Sequence, residues 1–72
     1  MSYFIDVILP IPLQKSFTYQ INKEEAVFLQ PGMRVAVQFG KTKVYAALVE
    51  RVHREAPVVY EAKDIEHILD EE

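Results

Sequence analysis

The residues of this 72-residue chain whose types could do chemistry are few, and their spacing suits little of it. Gly40-Lys41-Thr42 matches the end of a phosphate-binding loop, in which the lysine meets phosphate and the hydroxyl meets magnesium. That motif also needs a glycine five residues earlier, where Val35 stands, and a helix after it, where the sequence reads as a strand. A hairpin turn in which Gly40 supplies an unusual φ is the better account. His53 and His67 are the only histidines, and neither has a second ligand at the short spacing that metal sites favour, so both are expected as solvated side chains. A Ser–His–Asp arrangement would have to activate Ser16 from one of them, and nothing local supports it. Glu24-Glu25 and Asp70-Glu71-Glu72 have the pattern of solvated charge runs, not of an acid and a base held in a cleft. With no cysteine, disulfides and thiolate metal sites are excluded and a reducing compartment is permitted. No catalytic residue, metal or cofactor is expected in the chain.

What remains is aromatic and basic. Tyr3, Phe4, Phe17, Tyr19, Phe28, Phe39, Tyr45 and Tyr60 are many rings for so small a core. Most must be interior, but one or two rings at a loop mouth beside a cation can stack on the bases of single-stranded nucleic acid. The net charge of -3 hides an uneven distribution. Residues 64–72 carry Asp64, Glu66, Asp70, Glu71 and Glu72 with no Lys or Arg, so residues 1–63 hold eight basic against six acidic side chains, a net of +2. A mildly basic body suits a partner touched at a few phosphates, and falls short of a protein that coats long DNA.

The elements that must position these groups are short and extended. Residues 3–9 place Tyr3, Ile5, Val7 and Leu9 on one side and Phe4, Asp6 and Ile8 on the other, a largely buried strand. Pro10 and Pro12 end it in a stiff ordered loop. Residues 16–21 alternate again, with Phe17, Tyr19 and Ile21 together. Asn22 with Glu25 three residues on forms a capping pair for a single helical turn before Ala26. Pro31-Gly32 supplies a type II turn. Residues 33–39 are the clearest strand, with Met33, Val35, Val37 and Phe39 inward and Arg34, Ala36 and Gln38 outward.

After the Gly40–Lys43 turn, residues 44–55 fit either a helical stripe or a long strand running to about residue 54. A hairpin partner for residues 35–39 requires the strand, with Glu50 at a bulge or where the sheet curves. Residues 58–60 read as extended, and residues 63–69 as a last short strand or a helical turn. The expected fold class is all-β: a small antiparallel β-barrel or strongly curled sheet of four to five short strands, in one domain spanning residues 1–72. Half the residues are apolar and 26% are charged, a globular balance and not a disordered one. The N-terminus has no basic leader and no apolar run long enough to span a membrane, so a cytoplasmic address is expected.

Leu9-Pro10-Ile11-Pro12-Leu13, Phe17-Thr18-Tyr19 and the run from Leu29 to Lys41 containing Pro31-Gly32-Met33-Arg34-Val35 and Phe39-Gly40-Lys41 occur in that order. Together with the closing Lys63 to Asp70, they resemble the N-terminal 3′ DNA-binding domain of the PriA family, the primosomal replication-restart helicases also called primosomal protein N′. The resemblance covers essentially the whole chain. It implies a β-barrel that captures the 3′-terminal nucleotide of the nascent leading strand at an arrested fork. It also implies that the chain is a fragment of a longer ATP-dependent 3′-to-5′ helicase. That helicase's ATP, magnesium and zinc sites, and its contacts with other primosome proteins, belong to domains absent from these residues.

Residue by residue, Phe17 matches the family's aromatic beside the terminal base, Gly40 its pocket glycine and Lys63 its pocket lysine. Thr18 stands where the family often has Asp, so only a backbone or hydroxyl contact would survive there. Gln38 replaces a common proline, and Arg34, Lys41 and Lys43 could add phosphate contacts. The alternative reading of the residues is a β-barrel protein-interaction module without recognition of DNA ends.

Overall fold

The computed structural model describes residues 1–70; Glu71 and Glu72, the end of the acidic stretch, lie outside the described residues. Five strands and one short helix follow in the order β1 (Tyr3–Ile8), β2 (Phe17–Ile21), α1 (Lys23–Phe28), β3 (Arg34–Phe39), β4 (Lys43–His53) and β5 (His67–Ile68). They form one antiparallel sheet in the spatial order β2-β1-β4-β3-β5. The segment after β4 closes the curl. Gln20 N–H donates to the Lys63 carbonyl at 2.7 Å and Ile65 N–H to the Gln20 carbonyl at 3.2 Å. A few residues on, Glu66 N–H donates to the Ala36 carbonyl at 2.8 Å and Leu69 N–H to the Arg34 carbonyl at 3.0 Å. Residues 63–69 thus satisfy the free backbone groups of β2 and β3 at once, which covers two edges that would otherwise be open to pairing with another chain.

The strand at residues 43–53 settles the helix-or-strand ambiguity, because β4 pairs with β3 along one side and β1 along the other. Glu50 is the bulge. Asp6 faces Arg51 and Val7 faces Val49, so Glu50 has no partner and the strand bends there. Each inward position of the strands is apolar, and Ile5, Val7, Val35, Val37 and Val49 are fully buried, with Leu9, Tyr19, Ile21, Leu29, Ala47 and Ile65 completing the core. Each such aliphatic side chain contributes about 1.5–3 kcal/mol on burial, and a domain of this size ends with only a few kcal/mol net.

The turns follow their residue types. Gln30 C=O accepts from Met33 N–H at 3.1 Å across Pro31-Gly32, with Gly32 at φ +98°, the geometry of a type II turn. Asn22 caps α1 reciprocally with Glu25, each side chain accepting from the other's backbone N–H, so the expected helical turn runs on to Phe28. Residues 58–60, expected as extended, form bends instead.

Two expected orientations need correction. Ala36 was expected outward and is buried, because β5 lies beside it in register with His67 and so short a side chain does not emerge past its neighbours. His53 was expected in solvent, yet its side chain is only 9% exposed. Its Nε2 lies 2.8 Å from Asp6 Oδ1, its ring stacks on Phe4 at 6.1 Å, and its Nδ1 accepts from Glu55 N–H at 3.0 Å. The chain turns back after Glu55, and residues 56–62 pass beside Phe4 and Gln20, which encloses this outer face of the sheet. His67 is exposed, as expected.

Candidate functional site

One cleft of about 430 Å³ gathers Phe17, Thr18, Gly40 and Lys63, the four residues that the sequence nominates for a DNA 3′ end. They are far apart in the chain and come together through three features of the fold. β2 begins at Phe17, β3 ends immediately before Gly40, and the closing segment is pinned to β2 at Lys63 by the Gln20–Lys63 backbone bond. The cleft therefore sits where the start of β2, the end of β3 and the loops beside them meet at one end of the curled sheet.

Phe17 is half-buried. Its ring meets Phe39 edge-to-face at 4.8 Å, Phe39 in turn meets Tyr45 at 6.4 Å, and Lys15 Nζ stands 5.2 Å from the Phe17 centroid. This packing fixes the ring while leaving it at the cleft wall, which is what a stacking platform requires. The cleft floor is tied down by Tyr19, whose hydroxyl donates to the Gln38 carbonyl at 2.7 Å. Burial, with the neighbouring Tyr60 adding to it, raises the Tyr19 phenol above its ordinary pKa, so it stays a neutral donor. Gln38 also donates from Nε2 to the Lys41 carbonyl at 2.9 Å and so braces the hairpin turn.

Gly40 has φ +79°, and a Cβ built there would meet nothing within 4 Å. The glycine is needed for its backbone conformation, and its open side leaves room for a ligand. Gly40→Ala should therefore destabilise the fold by only about 1–2 kcal/mol through left-handed strain. A drop in DNA affinity beyond what that loss of folded protein accounts for, seen by comparing urea denaturation with binding, is the expected mark of a ligand lying against this backbone.

Thr18 behaves differently from a carboxylate at its position. Its Oγ1 donates to Asp6 Oδ1 at 2.7 Å, away from the cleft, while its backbone N–H donates to the Tyr60 hydroxyl at 3.0 Å. Lys63 is exposed, and with Lys15 it gives the cleft two cations against the one carboxylate of Glu61. Lys15 and Glu61 are not among the residues that the sequence nominates, and Tyr60 is there only as one of eight rings. Lys15 precedes Phe17 by two residues, a spacing that an extended chain places on the same side, and this was the available signal.

The three further cations fall elsewhere. Arg34, at the far end of β3 from Gly40, is engaged by Asp70, whose Oδ1 lies 3.0 Å from its guanidinium and whose Oδ2 accepts from its backbone N–H at 3.0 Å. Lys41, on the β3–β4 turn, and Lys43, the first residue of β4, are exposed near Gly40 but outside the cleft lining. Among the described residues no group of three or more His, Asp or Glu could hold a metal ion, and no helix is long and apolar enough to cross a membrane.

No curated protein and no solved structure matches the chain. A family model does: that of the 3′ DNA-binding domain (3′BD) of PriA matches residues 6–72. The match takes in every residue that lines the cleft, from Lys15 to Lys63. The chain belongs to the PriA 3′ DNA-binding domain family, and it is a DNA-binding domain.

Proposed function

We propose that this domain captures the 3′-terminal nucleotide of the nascent leading strand at an arrested replication fork. In this reading it is the N-terminal domain of a cytoplasmic ATP-dependent primosomal helicase, which it orients on forked DNA for replication restart. ATP hydrolysis, unwinding and contacts with other primosome proteins belong to the rest of that parent. The observation that carries the reading is the convergence in one cleft of an aromatic wall at Phe17, bare backbone at Gly40 and a cation at Lys63. A ring, an unobstructed backbone and a point charge bind a nucleotide through its π-face and phosphate, contacts that every base offers alike. Such a site reads an end without reading sequence. Arg34 enters this reading only weakly, because Asp70 already neutralises it.

The exposed outer face bearing Ile8, Val44 and Leu48 is the feature that favours the second reading, a protein-interaction module. Binding distinguishes the two. Fluorescence anisotropy at low salt, with single-stranded oligonucleotides ending in a free hydroxyl or a 3′-phosphate, should show tighter binding to the free end. Equal binding to both overturns end capture, and no binding to either, together with saturable binding to a partner protein, selects the protein-interaction module.

A further inference from the structure

We propose that Tyr60 is the residue of this chain that recognises the terminal sugar hydroxyl; this rests on the end-capture reading above. The argument starts from Thr18. Its side-chain hydroxyl is committed to Asp6 at 2.7 Å, on the side of β2 away from the cleft. What position 18 offers the cleft is its backbone N–H, and that donor points at the Tyr60 hydroxyl at 3.0 Å. Tyr60 is nearly half exposed and lines the same cleft as Phe17, Gly40 and Lys63.

A phenolic oxygen that accepts one N–H keeps its own proton and a second lone pair. Among the described residues Tyr60 has no other hydrogen-bond partner, so both are available to a ligand in the cleft. A hydroxyl at the end of a DNA strand is the complementary group, since it too both donates and accepts. The Thr18 N–H fixes the phenol in place, which spares the ligand the cost of ordering it. Stiffness behind the ring comes from Pro57 and from the pinning of the chain at Lys63, six residues later.

The probe that isolates this contact is an oligonucleotide lacking only the terminal oxygen. The chain is titrated with matched strands ending in a 3′-hydroxyl or in a 2′,3′-dideoxynucleotide, as wild type, Tyr60→Phe and Glu61→Gln. The wild type should prefer the hydroxyl end by about five- to tenfold, the size of one well-made hydrogen bond. Tyr60→Phe keeps the ring and should bring that ratio below about twofold, with only the small fall in thermal midpoint that goes with the lost Thr18 N–H bond. Glu61→Gln should keep the wild-type ratio. A Tyr60→Phe protein that retains the wild-type preference overturns the assignment to Tyr60 while leaving end capture standing. Loss of the preference in Glu61→Gln alone moves the role to the neighbouring carboxylate and overturns it equally. A wild type that ignores both the terminal oxygen and a 3′-phosphate overturns end capture itself, and this inference with it.

Discussion

Phe17→Ala should weaken binding to a strand with a free 3′ end by about 1–3 kcal/mol, roughly five- to 150-fold, because base–aromatic stacking of that size is lost with the ring. The ring also packs on Phe39 at 4.8 Å, so its truncation removes some stability from a domain that has little to spare. Phe17→Leu separates the two effects. Leucine keeps most of the apolar contact with Phe39 and lacks the flat π-face, so it should leave the thermal midpoint nearly intact and still lose most of the affinity. Equal affinity in wild type and Phe17→Leu would show that the ring is only a packing residue.

Lys63→Ala probes the other half of the cleft. Its side chain is exposed and its backbone carbonyl, which pins the closing segment to β2, survives the change. Binding should weaken about equally for all sequences, and the slope of log affinity against log salt should fall by about one, the mark of one phosphate contact. Lys41 and Lys43, exposed beside Gly40, are placed to add to that slope only if the strand runs on past the cleft in their direction.

How far this was legible in the sequence depended on the range of the interactions. Alternation over residues 33–39 gave β3 its face because a strand's period is local, and the Gln30–Met33 turn followed from Pro31-Gly32 for the same reason. Even the bulge at Glu50 was readable, since a lone carboxylate in an apolar run has to leave the ladder or face solvent. The four cleft residues were nominated by resemblance to a family, not by their spacing: Phe17, Gly40 and Lys63 lie on separate elements, and no local pattern brings them together. Tyr60 and His53 escaped for one shared reason. Tyr60 is placed by the return of residues 56–62 beside Phe4 and Gln20, and His53 by the pairing of β4 with β1 opposite Phe4, so each depends on a contact between residues more than forty apart in the chain.

The largest stability effect is expected at that hidden contact. Asp6 accepts from Thr18 Oγ1 at 2.7 Å and from Arg51 Nε at 2.9 Å, and lies 2.8 Å from His53 Nε2. Because His53 Nδ1 already accepts from Glu55 N–H, the ring proton sits on Nε2 and donates to Asp6. Burial by itself raises the Asp6 carboxyl. The hydrogen bonds from Thr18, His53 and Arg51 together outweigh it and hold the group below the ordinary value of 3.8. Asp6→Ala strands the Thr18 hydroxyl and a nearly buried His53, and should cost about 2–3 kcal/mol, less than a fully buried ion pair because Arg51 can turn to water.

In a domain of this size that is roughly a 10–20 °C fall in thermal midpoint. The pH dependence has a fixed sign. A carboxylate held lower in the folded state stabilises above the unfolded value near 3.8 and loses that stabilisation as pH falls through its folded value. The wild type should therefore lose stability below about pH 4 more steeply than Asp6→Ala. Thr18 joins this hub to the cleft, so the same substitution should also loosen the Thr18 N–H that holds Tyr60 and weaken 3′-end binding at temperatures where the protein is still folded. A variant whose affinity per folded molecule matches wild type would confine Asp6 to stability alone.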